Sequence, residues 1–243
     1  GLPLAGFADW NDTLNLDRGL GTAESVFTAL LYAYALKEMI DLLESKARSV
    51  LVEEEAESLL QRYQDYYNKQ KQAINNHAWD GSWYLRAYDD AGEKLGAEEC
   101  EVGQIFLNSQ SWAIMSGIAE EERQNIALEK VNKFLNTEFG VILVYPAYKE
   151  FDANKGGITT YPPGAKENGG IFLHSNPWIM IAETKACNPD QAYQYYRQVL
   201  PPTKNEIADR YEVEPYVYCQ NILGKEHPQF GLGRNSWLTG TAA

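Results

Sequence analysis

The sequence predicts an all-α fold, the later helices of a helical toroid with long loops and a small β-hairpin. Three observations predict it. Apolar residues recur at helical spacing along most of the chain. Helices that are apolar nearly all round alternate with helices that carry one apolar stripe. The connections between them are rich in Gly, Pro and polar side chains. At 243 residues, 44% hydrophobic and 12% aromatic, the chain can bury a large core.

Thr22 is placed to cap a helix over Ala23–Ser45, whose first half (Val26, Phe27, Leu30, Leu31, Tyr34, Leu36) has the all-round apolar surface of a buried helix. A second helix is predicted over Val52–Asn76. Its apolar positions (Ala56, Leu59, Leu60, Tyr63, Tyr67, Ile74) form one stripe among charged residues, as in an outer layer. Trp79–Gly92 reads as turn, strand, turn. Shorter helices are predicted at Ser109–Gly117, Glu120–Asn136, Ile171–Lys185 and Pro189–Val199, with further candidates at Pro215–Leu223 and Asn235–Ala242. Long Gly- and Pro-rich loops span Tyr145–Gly170 and Pro201–Pro215. An inner ring wrapped by an outer ring, with the loops at one end building a site, fits this order. About eight helices are too few to close such a ring. Polar-aromatic motifs also stand at both ends of the chain. The expectation is a piece of a longer protein.

Composition excludes several function classes. With 34 acidic and 21 basic residues the formal net charge is −13, so a nucleic acid or an anionic membrane is not an expected partner. No run of about 18 apolar residues predicts a transmembrane helix, and no signal peptide opens the chain. Cys100, Cys187 and Cys219 read as reduced thiols of a cytoplasmic protein. His77, His174 and His227 lack metal-ligand spacing, so no metal site is expected.

Chemistry is concentrated in three polar-aromatic clusters: Gly6–Thr13, Tyr161–His174 and Asn235–Gly240. Trp10 offers a flat platform for a sugar ring, and Asp12 beside it can donate a proton to a glycosidic oxygen. Such an acid needs a raised pKa, which Asp9 and Trp10 are placed to supply. The competing reading of Asp12 is an Asx-turn. Lys166, Glu167 and Asn168 are either a solvated loop or part of a site. His174 is either a satisfied core residue or an oxyanion ligand. Thr239 and Gly240 fit a phosphate cradle and also an ordinary helix cap.

Taken together, Ala8-Asp-Trp-Asn-Asp12, Trp79-Asp-Gly-x-Trp-Tyr-x-Arg-Ala-Tyr-Asp, Tyr161-Pro-Pro-Gly-x-Lys-Glu-Asn-Gly-Gly-Ile-Phe-x-His174, Glu214-Pro-Tyr-Val-Tyr-x-Gln220 and Asn235-Ser-Trp-Leu-Thr-Gly-Thr-Ala-Ala243 resemble glycoside hydrolase family 94, the family of the cellobiose phosphorylases. The resemblance runs in order over essentially the whole chain. It implies an (α/α)6 barrel that follows an N-terminal β-sandwich, with residues 1–243 as the later part of the barrel. The implied reaction is reversible, inverting phosphorolysis of a β-linked glucosyl disaccharide, cellobiose first, to α-glucose 1-phosphate and a free sugar. It needs no cofactor, because inorganic phosphate is a co-substrate.

By the same resemblance, Asp12 corresponds to the general acid. Trp10, Tyr161, Lys166, Glu167 and Gln220 correspond to donor-sugar residues, and His174, Thr239 and Gly240 to phosphate ligands. Tyr161 favours a glucosyl over an N-acetylglucosaminyl donor. Gly157 stands where the cellobiose enzymes carry an acceptor-contacting glutamate. With Lys149 and Lys155 in the same loop, cellobionic acid is an alternative acceptor substrate, beside laminaribiose and chitobiose. The family also uses an arginine for phosphate and an Arg/Asp pair for the donor sugar upstream of the acid, so the isolated chain is expected to be inactive. The resemblance admits a homodimer of the full-length enzyme. An inverting hydrolase on the same barrel, with Glu167 as base, and a non-catalytic carbohydrate-binding domain are the rival readings.

Overall fold

The computed structural model describes residues 1–6, 9–46 and 52–236. Seven α-helices lie among them: α1 (Val26–Lys46), α2 (Glu53–His77), α3 (Leu107–Met115), α4 (Glu121–Phe134), α5 (Asn176–Lys185), α6 (Pro189–Val199) and the single turn α7 (Ala208–Tyr211). α2 packs on α1, α4 on α3 and α6 on α5, while α3 packs on both α1 and α5. The first member of each pair therefore lies inside and the second outside.

Burial follows the sequence pattern. α3 is buried along nearly all its length, polar residues Asn108 to Ser111 included. α4 buries Ala127, Leu128 and Val131, and α6 buries Ala192, Tyr195 and Val199, each a single stripe at helical spacing. α2 buries only Ala56, Gln70 and Ile74. Among the described residues no helix is long and apolar enough to cross a membrane.

α1 begins later than Thr22 predicts. The Thr22 hydroxyl donates to the Asp90 carbonyl at 2.8 Å, and the Ser25 hydroxyl instead caps the helix by accepting from the Thr28 amide at 3.1 Å. α5 begins at Asn176 rather than Ile171, with Pro177 in its first turn.

Strands are more numerous than the single expected hairpin. β1 (Glu24–Ser25), β2 (Ala87–Tyr88) and β3 (Lys94–Leu95) form an antiparallel sheet in that order. β4 (Ile105–Phe106) pairs with β7 (Val144–Tyr145), and β5 (Asn136–Thr137) with β6 (Gly140–Val141). β8 (Ile171–Phe172), β9 (Cys219–Ile222) and β10 (Gly233–Ser236) form a second sheet with β9 in the middle. Most of these strands are two residues long, too short to show an alternating pattern in sequence. β9 and β10 replace the helices expected at Pro215–Leu223 and at the start of Asn235–Ala242. Tyr216 and Asn235 adopt left-handed backbone (φ 66° and 58°), which a helix interior does not tolerate. The rest of that last segment lies outside the described residues.

The main core joins the inner helices (Val26, Leu30, Ile114, Ile179) to the strands. A smaller apolar cluster (Leu14, Leu16, Leu95, Phe106, Tyr148, Ile158) sits under the loops that carry the first motif. One side chain ties helix to loop: buried Gln110 of α3 accepts from the Tyr84 amide at 2.9 Å and donates to the Tyr84 and Phe106 carbonyls at 2.8 and 3.0 Å. Gln110→Leu strands these buried backbone groups and is expected to cost on the order of 3 kcal/mol, read as a lower denaturation midpoint at unchanged slope.

Candidate active site

The first motif is held from below by a buried ion pair. Asp9 pairs with Arg86, the residue before β2, and the two side chains are 3% and 0% exposed. Asp9 also accepts from the Ser25 hydroxyl at 3.0 Å and from the Asn11 amide at 3.1 Å. Burial alone would raise the Asp9 carboxyl. The Arg86 charge and these hydrogen bonds outweigh it and hold the group below the ordinary carboxylate value. Arg86 further donates to Asn11 Oδ1 at 2.9 Å. The Leu14 amide donates to the Asn11 carbonyl at 2.9 Å and closes a turn, on which Asp12 stands exposed to solvent. Asp9 has its own countercharge in Arg86.

Around Asp12 lie the residues of the second motif. The Thr13 hydroxyl donates to Glu167 Oε2. The Glu167 carboxyl is buried and pushed up, first by burial and then by the negative charge of Asp12, against the Thr13 hydrogen bonds. Burial also raises Tyr161, with the charges of Glu167 and Asp12 adding to it. The Lys166 ammonium sits 5.3 Å from the centre of the Tyr161 ring. Asp12, Tyr161, Lys166 and Glu167 thus form one cluster. Asn168 is a strut within it: its amide accepts from the Tyr148 amide at 2.7 Å and donates to the Tyr148 and Tyr161 carbonyls at 2.8 Å each. A Cβ on Gly224 would meet the Gly169 carbonyl oxygen at 2.0 Å, so the loop 164–170 crosses residue 224 at a distance only glycine allows.

Trp10 leads to a second wall. Its ring lies 5.6 Å from His174, 5.1 Å from Trp178 and 5.8 Å from Phe172, all edge-on. His174 stands between β8 and α5, half-buried, and burial holds its imidazole below the usual value. It is neither a sealed core residue nor a free surface group. Gln220 on β9 adjoins it through the backbone, where the Leu173 amide donates to the Gln220 carbonyl at 2.9 Å. The Gln220 side chain accepts from Asn235 at 2.9 Å. Thr239 and Gly240 lie outside the described residues.

Lys155 does not serve as a free cation for an acceptor. Its ammonium lies 3.3 Å from buried Asp89 and 3.6 Å from Glu93. That pair fixes the loop whose Ile158 amide donates to the Thr13 carbonyl at 2.9 Å. Lys149 stays exposed in the same loop. Sequence reasoning gave no role to Arg86 or Thr13. The signal available for Arg86 was a lone cation inside the apolar run Trp83–Ala87. Among the described residues no group of three His, Cys, Asp or Glu side chains suits a metal ion. A cavity of about 580 Å³, lined by Glu93, Cys100, Tyr148, Phe151 and the acceptor candidates Lys149 and Lys155 among others, contains none of Trp10, Asp12, Tyr161, Lys166, Glu167, His174 and Gln220.

A pH test follows from Glu167. Its folded pKa lies above the ordinary 4.5. The stabilisation linked to the protonated carboxyl is full below the unfolded value and is lost as pH rises through the folded one. Glu167→Gln removes that loss. The melting temperature of the variant minus that of the wild type is expected to rise between about pH 4 and about pH 7. A difference that is flat or falls over this range contradicts the assignment.

The chain matches the glycosyl hydrolase 94 superfamily catalytic domain over residues 1–243. A solabiose phosphorylase from Paenibacillus borealis is 37% identical, over 99% of this chain and 30% of that protein. An N,N'-diacetylchitobiose phosphorylase from Vibrio proteolyticus is 35% identical, over 97% of this chain and 28% of that protein. The chain therefore spans less than a third of the length of these curated relatives. In fold it is similar to a family 63 mannosylglycerate hydrolase from Thermus thermophilus solved with glucose, with a TM-score of 0.56 at 13% identity, over 88% of this chain and 44% of that one. The match over its whole length means that the chain belongs to the glycosyl hydrolase 94 superfamily.

Proposed function

We propose that this chain is the later part of an (α/α)6 catalytic barrel and that, within the whole protein, it carries the general acid of an inverting disaccharide phosphorylase. The observation that carries this reading is that one loop, residues 9–13, brings both the Asp12–Glu167 carboxyl pair and the Trp10–His174 contact to the site. Inner helices paired with outer ones support the barrel, and the short share of each relative that the chain covers supports a longer whole.

In this reading Asp12 protonates the glycosidic oxygen as the bond to the anomeric carbon breaks. Phosphate attacks that carbon from the opposite face and forms the new carbon–oxygen bond. The proton leaves on the released sugar hydroxyl, and the anomeric centre inverts. Phosphate replaces the activated water of a hydrolase, so no second carboxylate base is needed. Glu167 and Lys166 hold donor-sugar hydroxyls, and Trp10 and Tyr161 flank the ring. His174, its charged form disfavoured by burial, offers a neutral N–H to phosphate. Thr239 and Gly240 complete that subsite by family resemblance.

The donor is glucosyl, argued from Tyr161, and cellobiose is the first substrate. The relatives named for solabiose and N,N'-diacetylchitobiose widen the set to be tested. With Lys155 held by Asp89, the case for an anionic acceptor rests on Lys149 alone. The free thiols support a cytoplasmic location. Family resemblance favours a homodimer of the whole protein.

The full-length protein is expected to release α-glucose 1-phosphate from cellobiose only when inorganic phosphate is present. Glucose released without phosphate would make it a hydrolase. Asp12→Asn is expected to lower phosphorolysis by about 10²- to 10⁴-fold with the fold intact. Unchanged sugar binding beside an absence of turnover in the wild type would instead indicate a binding domain. His174→Ala is expected to raise the KM for phosphate about tenfold, with the KM for the disaccharide nearly unchanged, the loss of about one hydrogen bond.

A further inference from the structure

We propose that Arg86 is the positioning residue of the acid-bearing loop: by holding Asp9 and Asn11 together it sets where Trp10 and Asp12 stand. This rests on the phosphorylase reading above and adds to it a residue to which neither the motifs nor the family resemblance gave a role.

The side chains of Asp9 and Asn11 turn inward. The Asp9 side chain is 3% exposed and Asn11 is fully buried, whereas Trp10 is half-buried and Asp12 is exposed. The two inward residues are the ones that meet the guanidinium, through the Asp9 ion pair and the 2.9 Å bond to Asn11 Oδ1. Both contacts are made by the terminal nitrogen Nη2, so one donor group at the tip of the side chain ties together a carboxylate and a carboxamide two residues apart.

Arg86 is itself fixed. Its amide donates to the Leu95 carbonyl at 2.8 Å across β2 and β3, and its guanidinium carbon lies 5.1 Å from the centre of the Phe27 ring on α1. A Cβ on Gly96 would meet the Arg86 amide nitrogen at 2.7 Å and the Arg86 Cβ at 3.0 Å, so the hairpin closes on Arg86 only with glycine there. The acid-bearing loop is thereby referenced to a hairpin and an inner helix far away in sequence. A buried ion pair is a weak device for stability, because an apolar pair of similar volume often serves as well. What it supplies here is direction for Trp10 between them and Asp12 just after.

The test uses the full-length protein with cellobiose and phosphate, and the variants Arg86→Gln, Arg86→Lys and Asn11→Ala. Arg86→Gln is expected to lower kcat about 100-fold while the KM for cellobiose moves less than about threefold, the signature of a displaced acid rather than a lost binding contact. Arg86→Lys keeps a charge for Asp9, but its ammonium ends one bond short of the Nη2 position that also reaches Asn11, so it is expected to behave like Asn11→Ala, with kcat down about tenfold. Amide hydrogen exchange over residues 9–16 is expected to speed up in Arg86→Gln, with α3 and α5 unchanged.

A folded Arg86→Gln variant with kcat within about twofold of wild type would overturn the proposal. So would a variant whose only defect is a lower melting temperature. If Arg86→Gln fails to fold, Asn11→Ala decides, since it leaves the ion pair in place. Wild-type protein without phosphorolysis would sink the phosphorylase reading instead, and the exchange measurement would still decide whether Arg86 orders the loop.

Discussion

The buried pair of Arg86 and Asp9 is the constraint on which the rest of the site depends. Two charges taken out of water are tolerated only where further hydrogen bonds satisfy them. Here Ser25 and Asn11 do so for Asp9, while the buried Arg86 Nε finds no partner among the described residues. Ser25 serves twice, since the same hydroxyl that donates to Asp9 accepts from the Thr28 amide and starts α1. The beginning of an inner helix, a β-hairpin and the first motif thus converge on one pair of charges. Removing either partner leaves an uncompensated buried ion and releases three elements together.

A second layer of clamps fixes the loops around this point. Buried Asp90 binds Arg18 through its side chain at 2.8 Å and its backbone amide at 2.6 Å, while Asp89 holds Lys155. The chain after Asp12 and the loop before Tyr161 are thereby tied to the same hairpin turn. The Asn15 amide donates to the Lys155 carbonyl at 3.0 Å and joins these two loops directly. Loops placed in this way can carry chemistry because paired helices and a small apolar cluster underneath hold them. The acidic surface is consistent with the design: carboxylates that face inward have named partners, and the others stay in water.

Helical periodicity made the six longer helices legible, and the contrast between Val26–Leu36 and the striped second helix gave their inner and outer order. Two-residue strands carry no period, and helix-compatible residues such as those of Pro215–Leu223 became a strand because Tyr216 turns left-handed and the sheet needs a central strand. The site was legible as residue types at motif spacing, which brought Asp12, Tyr161, Lys166 and Glu167 to one place. Their electrostatics were not legible. The partner of Asp9 lies 77 residues away, and nothing local announces that Arg86 cancels its charge or that Asp89 engages Lys155. His174 shows the same limit. Its sequence context is apolar, and only the packing of Trp10 and Trp178 shows it as a half-buried edge of the site.

The most direct measurement is the crystal structure of the full-length Asp12→Asn protein with cellobiose and inorganic phosphate. The account predicts the sugar between Trp10 and Glu167, the glycosidic oxygen about 3 Å from residue 12, and phosphate beside His174 on the opposite face of the ring. A water held by Glu167 in the place of that phosphate, or a disaccharide bound away from the loop 9–13, would contradict it.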